Sequence, residues 1–239
     1  MRLPRRALMW MAAVVGTACA AVAAPPDDGG KPDVFGSISF AADSLSALPQ
    51  WRGVLDKWHE REGSRAKGAA EAESLAETVW RTHIEGLVGA EPAVIAEDVN
   101  TFINKLLDDH VSDPAGAAAD GFPWPTPRDV IDGKAEGSLA TAIAKFATLR
   151  LAGLPNEDAR IVVTRDILRD RRHFVVAVRL GDRTAILDSM GDVLRDEADI
   201  STYVPLYSFN ETTRWIHFDP AETDAQGAAT GPGTGGTAR

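Results

Sequence analysis

The chain has 239 residues, 44% of them hydrophobic, with 25 basic against 35 acidic side chains, a net charge of −10 and one cysteine. That length supports one sizeable core, and a single Cys excludes an internal disulfide framework and any multi-cysteine zinc or iron–sulfur site. An acidic chain without a Lys/Arg stripe repels phosphate backbones, which argues against nucleic acid as a partner.

Met1 to Arg6 is basic, and Ala7 to Ala24 is small and apolar, ending in Ala21-Val22-Ala23. This is the pattern of a secretory signal peptide cut after Ala23, and it predicts a periplasmic or secreted protein with no membrane span after cleavage. The apolar run is shorter and richer in Ala than a span of about 20 residues requires. The only cysteine, Cys19, lies within residues 1–23, as do Arg2, Arg5 and Arg6. Cleavage therefore leaves a more acidic chain without a thiol.

Residues 24–33 read as a disordered lead, 34–220 as one folded domain, and the Ala/Gly/Thr-rich 221–239 as a disordered tail. Pro49, then Trp51, Val54, Leu55 and Trp58, predict a first amphipathic helix. Gly63 to Glu73 reads as a solvated linker. Ser74 and Glu77 form a capping-box pattern that opens a second helix carrying Leu75, Val79, Trp80 and His83. Ile95, Val99, Phe102, Ile103 and Leu106 mark a third. The stretch from Asp108 to Gly137, with Phe122-Pro123-Trp124-Pro125-Thr126-Pro127, reads as a loop without regular structure.

From Ser138 to Leu151 the pattern is a helix apolar nearly all round, stopped by Gly153 and Pro155, and such a helix must be buried. Strands are predicted over Arg160–Thr164, His173–Leu180 and Thr184–Asp188, with the last two joined by a Gly181-Asp182 type II′ turn. Tyr203–Phe209 and Arg214–Phe218 add further strands.

A two-residue turn pairs Leu180 with Arg183, sets His173 opposite Met190, and makes His173 and Asp188 diagonal neighbours about 7–8 Å apart between Cα atoms. An Asp beside a His is two thirds of a nucleophile–base–orienter triad. The same spacing also suits a strand-end His and a turn-capping Asp, so geometry alone leaves both open. Ser138 stands where a buried helix begins, a position that suits either a nucleophile or an N-cap.

The whole span from about Phe35 to Phe218 resembles the bacterial transglutaminase-like cysteine peptidases, a periplasmic family. The resemblance is carried by Phe35-Gly36, Leu48-Pro49-x-Trp51, Val99-Asn100 and Asn104, then Trp124-x-Thr126-Pro127 and Ala142-Ile143-Ala144-Lys145-Phe146. It continues in Arg172-His173-x-Val175, Ile186-Leu187-Asp188-Ser189, Tyr203-x-Pro205 and Ser208-x-Asn210. It implies an α+β fold of papain/transglutaminase type, with a nucleophile-position helix packed on an antiparallel sheet. It also implies triad positions Ser138, His173 and Asp188, with Trp124 as a cleft wall.

The chain departs from the family at the nucleophile. Ser138 replaces the Cys, and Gly137 and Leu139 replace flanking acidic residues that resemble a calcium site, so no cofactor is expected. A hydroxyl is not drawn to its anion as a thiol is. The expectation is therefore a catalytically disarmed homologue, a pseudoenzyme that binds a peptide or protein segment. By family analogy the partner is a surface adhesin or an inner-membrane receptor. The alternatives are a hydrolase using Ser138, His173 and Asp188, or a structural envelope protein.

Overall fold

The computed structural model describes residues 33–42, 44–69, 71–107 and 123–220. The expected signal peptide, most of the lead, the start of the Pro-rich loop and the tail lie outside these residues. Helices α1 (Pro49–Ala66), α2 (Leu75–Leu87), α3 (Pro92–Leu107), α4 (Pro127–Ile131) and α5 (Ser138–Leu151) precede most of the sheet. Its strands are β1 (Ile38–Ala42), β2 (Ala159–Asp166), β3 (Arg171–Leu180), β4 (Arg183–Asp188), β5 (Gly191–Asp196), β6 (Tyr203–Phe209) and β7 (Arg214–Phe218). They form one antiparallel sheet in the order β1-β7-β6-β2-β3-β4-β5. The α+β class expected from the sequence is the one observed.

Strand alternation divides the apolar side chains between two clusters. Ile161, Val163, Phe174, Val176, Val178, Leu187 and Phe209 pack with the helices, while Val162, Val175, Ala177 and Ile186 join Ile200 and Tyr203 in a second cluster. Helix α5 lies at the centre of the first, buried from Ser138 to Leu149. Each large side chain it buries, such as Phe146 or Leu149, contributes roughly 1.5–3 kcal/mol. Trp51 of α1 packs edge-on against Phe146 and tilted against Phe209, and donates its indole N–H to the Asn210 carbonyl at 2.8 Å.

Four expectations need correction. The Pro-rich loop contains α4, because Pro127 occupies the first helical position, where its missing N–H costs nothing, and Thr126 and Asp129 complete a capping box. Helix α1 continues through Gly63 to Ala66, and Glu71 and Glu73 of the expected linker are held by Arg128 and Arg65. In α2 only half the capping box forms. Ser74 Oγ accepts the Glu77 N–H at 3.0 Å, but the Glu77 carboxylate turns inward to Arg61 at 2.6 Å, with Arg128 and Arg81 beside it. The buried face of α2 is accordingly Trp80, Ile84 and Leu87, and Leu75 and Val79 are exposed. Finally, Asp33, assigned to the lead, is ordered by an ion pair with Arg160.

The outer strands are tied by a buried imidazole. Ser37 Oγ donates to the Val34 carbonyl at 2.8 Å, so at 2.8 Å from His217 Nδ1 it must accept. Nδ1 therefore carries the proton, and Nε2 accepts from Ser208 Oγ at 2.8 Å. Burial, with Arg160 nearby, lowers the His217 pKa to about 4. The unfolded chain then binds more protons between pH 6.5 and 4, so folding stability falls as pH drops through that window. The expected loss is about 3 kcal/mol, read as a falling unfolding midpoint in urea between pH 7 and 4. His217→Gln should flatten this segment of the profile, and an equal slope in the variant would assign the loss elsewhere.

Candidate functional site

The β3–β4 hairpin has the register expected of the two-residue turn, from Leu180 opposite Arg183 to Val176 opposite Leu187. Gly181 takes φ +65° while Asp182 keeps an ordinary φ, as a type II′ turn requires. Beyond Leu187 the ladder stops. Strand β4 ends at Asp188 and the chain turns through Ser189 and Met190 into β5, so the expected pairing of His173 with Met190 is not made. His173 and Asp188 nevertheless meet, with His173 Nε2 2.7 Å from Asp188 Oδ1.

Asp188 is the hub of a buried array. Its Oδ1 also accepts the Met190 N–H at 3.0 Å, and Tyr203 donates its phenol to Oδ2 at 2.7 Å. Burial alone would raise the carboxyl, but the His173 contact and the other two hydrogen bonds outweigh it and hold Asp188 at about 2. The Tyr203 phenol is pushed well above its ordinary value by burial and by the adjoining carboxylate. The other imidazole nitrogen of His173, Nδ1, is buried and has no hydrogen-bond partner among the described residues.

Ser138 and His173 line one cavity of about 240 Å³, together with Glu136, Gly137, Thr141, Arg171, Ser189, Met190 and Leu107. No hydrogen bond joins Ser138 to His173 among the described residues. Nor is Ser138 an N-cap. Gly137 holds that position at φ +93°, and Ser138 is the first residue of α5. Its side chain has no capping duty, and Ser138 is one of the residues that line the cavity. Trp124 does not line the cavity: its ring lies edge-on to Phe174 and tilted over Phe209, a core packing role.

Three polar residues that carry the resemblance but have no role from sequence support this array. Asn100 and Asn104, one turn apart on α3, grip the turn after β4. Asn100 Oδ1 accepts the Asp188 N–H at 3.0 Å, and its Nδ2 donates to the carbonyls of Gly191 and Asp192. Asn104 Nδ2 donates to the Asp188 carbonyl at 3.1 Å. Lys145, 0% exposed on α5, donates to Asn100 Oδ1 at 2.7 Å. Burial lowers its pKa to about 7 against the opposing pull of Asp188 and Asp192. A lone Lys inside a helix apolar all round is the sequence signal for such a residue.

A helix whose first turn opens on a cavity lined by a strand-borne His, itself bonded to an Asp on the next strand, defines a papain/transglutaminase-like arrangement. Solved structures with this fold include LapG of Legionella pneumophila, at TM-score 0.55 and 22% identity over 74% of this chain and 94% of that one. Calcium-bound LapG superposes at TM-score 0.54 with 22% identity, covering 74% of this chain and 99% of that one. EGTA-treated LapG gives 0.54, 22%, 73% and 94%. At this identity the likeness establishes the fold. No protein-family model matches the sequence, and no curated protein does.

Proposed function

We propose that this is an exported protein of LapG fold whose cleft binds a peptide or protein segment without cutting it. The observation that carries the reading is the state of the two halves of the site. His173, Asp188 and Tyr203 are assembled, yet among the described residues Nδ1 has no partner and the Ser138 hydroxyl is not engaged by it. A serine becomes a nucleophile only when an aligned base takes its proton during attack, whereas a thiol would be activated by the imidazole and the helix N-terminus alone. The one cysteine, Cys19, lies outside the described residues. Export rests on the leader-like residues 1–23, and among the described residues no helix is long and apolar enough to cross a membrane.

Calcium, which one LapG structure contains, does not fit the equivalent segment here. Leu139 is buried in the core and Gly137 has no side chain, so neither position where the resemblance places family carboxylates can supply oxygen from a side chain. Restoring those carboxylates would strain the fold, since Gly137 sits at a φ that disfavours any Cβ and Leu139→Glu would bury an unpaired charge.

The free Nδ1 specifically favours one second reading, a hydrolase in which substrate binding brings Ser138 onto His173. A fluorophosphonate probe separates the two. The expected result is no covalent labelling. Modification at Ser138 that disappears in His173→Ala would overturn the binding-only reading.

A further inference from the structure

Lys145 is the one residue of α5 whose charged end is fully buried, and the proposed binding role gives it nothing to do. It does not line the cavity, and among the described residues its side chain makes one hydrogen bond, to Asn100. That partner is the amide that holds Asp188. Asn100 Oδ1 accepts simultaneously from Lys145 Nζ and from the Asp188 backbone N–H, while Nδ2 serves the Gly191 and Asp192 carbonyls. An Asn amide can be turned over, exchanging its acceptor for its donors. Below pH 7, where Lys145 keeps its proton, NH₂ in the turned orientation would face both an ammonium and a backbone N–H, three donors with no acceptor among them. Lys145 therefore adds its own rejection of the turned orientation to that of the Asp188 N–H and the two carbonyls. The charged groups facing it are Asp188 and Asp192, both on the gripped turn.

We propose that Lys145 is a positioning residue for the His173–Asp188 pair: held on Asn100, it locks that amide in the orientation that clamps the 188–192 turn and so presents the Asp188 carboxylate to His173. The helix that carries Ser138 is in this way coupled through one amide to the turn that carries Asp188, so two walls of the cavity are kept in register. Asn104, one turn further along α3, grips the same turn from the Asp188 carbonyl. The assignment takes the His173–Asp188 pair as the polar centre of the cleft, and it holds whether or not Ser138 reacts.

The test reads ring N–H protons by NMR on the full chain, with no ligand or activity assay, so its outcome is independent of the binding-only reading. Two buried imidazole protons are compared: His173 Nε2–H, bonded to Asp188, and His217 Nδ1–H, bonded to Ser37 in the outer strands. In Lys145→Met, exchange of the His173 proton with water is expected to accelerate about tenfold or more, while that of the His217 proton is unchanged. Lys134→Met, which removes an exposed ammonium paired with Asp132, should alter neither.

Parallel acceleration of both protons would mean a general loss of stability and would overturn the proposal, as would an unchanged His173 proton. If Lys145→Met does not fold, Lys145→Gln carries the test, because its amide can still donate to Asn100 but also offers an acceptor and so no longer rejects the turned amide. The same selective effect at His173 is expected there. Failure of that variant to fold also overturns the proposal, since a residue that only positions one turn is dispensable to the core.

Discussion

Asp188→Ala is expected to destabilise the fold by about 3–5 kcal/mol at pH 7, the cost typical of removing one partner from a buried charged network. The mechanism is the set of groups left behind. His173 Nε2 and the Tyr203 hydroxyl, each 2.7 Å from a carboxylate oxygen, lose their acceptor in a site too buried for water to replace it freely. The Met190 N–H loses its Asx-type partner, and the turn before β5 its internal cap. Asp188→Asn keeps the shape and one acceptor oxygen, so it should cost markedly less. Urea unfolding of the two variants beside the parent checks this, and a loss below 1 kcal/mol for the alanine variant would show the array to be peripheral to stability.

The same carboxylate sets a pH signature. Its folded pKa of about 2 lies below the ordinary value of about 3.9, so its stabilisation is complete above pH 4 and is lost as pH falls towards 2. The His217 contribution disappears earlier, between pH 6.5 and 4. Acid unfolding should accordingly proceed in two slopes with separate owners, the outer strands weakening before the candidate site.

The contrast between these two histidines shows what can be read from the chain. His173 and Asp188 could be placed together because Gly181-Asp182 permits a two-residue hairpin, and that turn dictates which side chains lie diagonally across it. The information is local, spanning fifteen positions. The Ser37–His217–Ser208 chain depends on β1 pairing with β7 across most of the domain, and no turn announces that pairing. Asn100 and Asn104 are visible only as residues of a resemblance, and Lys145 besides only as a lone Lys in an apolar helix. Their joint role needs α3, α5 and the 188–192 turn in three dimensions.

Ser138 shows a subtler limit. Ser is a favoured N-cap, but a cap requires only extended backbone and an acceptor, whereas Gly137 tolerates a φ of +93° that other residues resist. Gly137 thus takes the cap position and moves Ser138 one residue into the helix, relieving its hydroxyl of capping. The α4 helix is hidden in the sequence for a related reason. Proline breaks a helix in its interior but starts one at the first position, and only the Thr126–Asp129 capping box distinguishes the two cases.

Lys145 dictates the alkaline side of the stability profile. Its folded pKa is about 7, whereas an unfolded lysine titrates near 10.4. Between those values the unfolded chain carries the extra proton, so folding stability rises with pH from about 7 to 10, and the full penalty applies below 7. The size of that rise is on the order of 4 kcal/mol. Above pH 10 the slope reverses, because the Tyr203 phenol in the fold keeps its proton under the influence of Asp188 after the unfolded phenol has lost its own. A phenolate in the unfolded state binds fewer protons than the fold, and stability then declines with pH. The expected profile is a maximum near pH 10, unusual for so acidic a chain. Lys145→Met removes the rise between pH 7 and 10 and leaves the decline beyond it. Thermal unfolding midpoints taken at half-unit steps from pH 6 to 11 on parent and variant test this directly. Parallel curves would show that Lys145 keeps its proton in the fold and that the charges of Asp188 and Asp192 outweigh its burial.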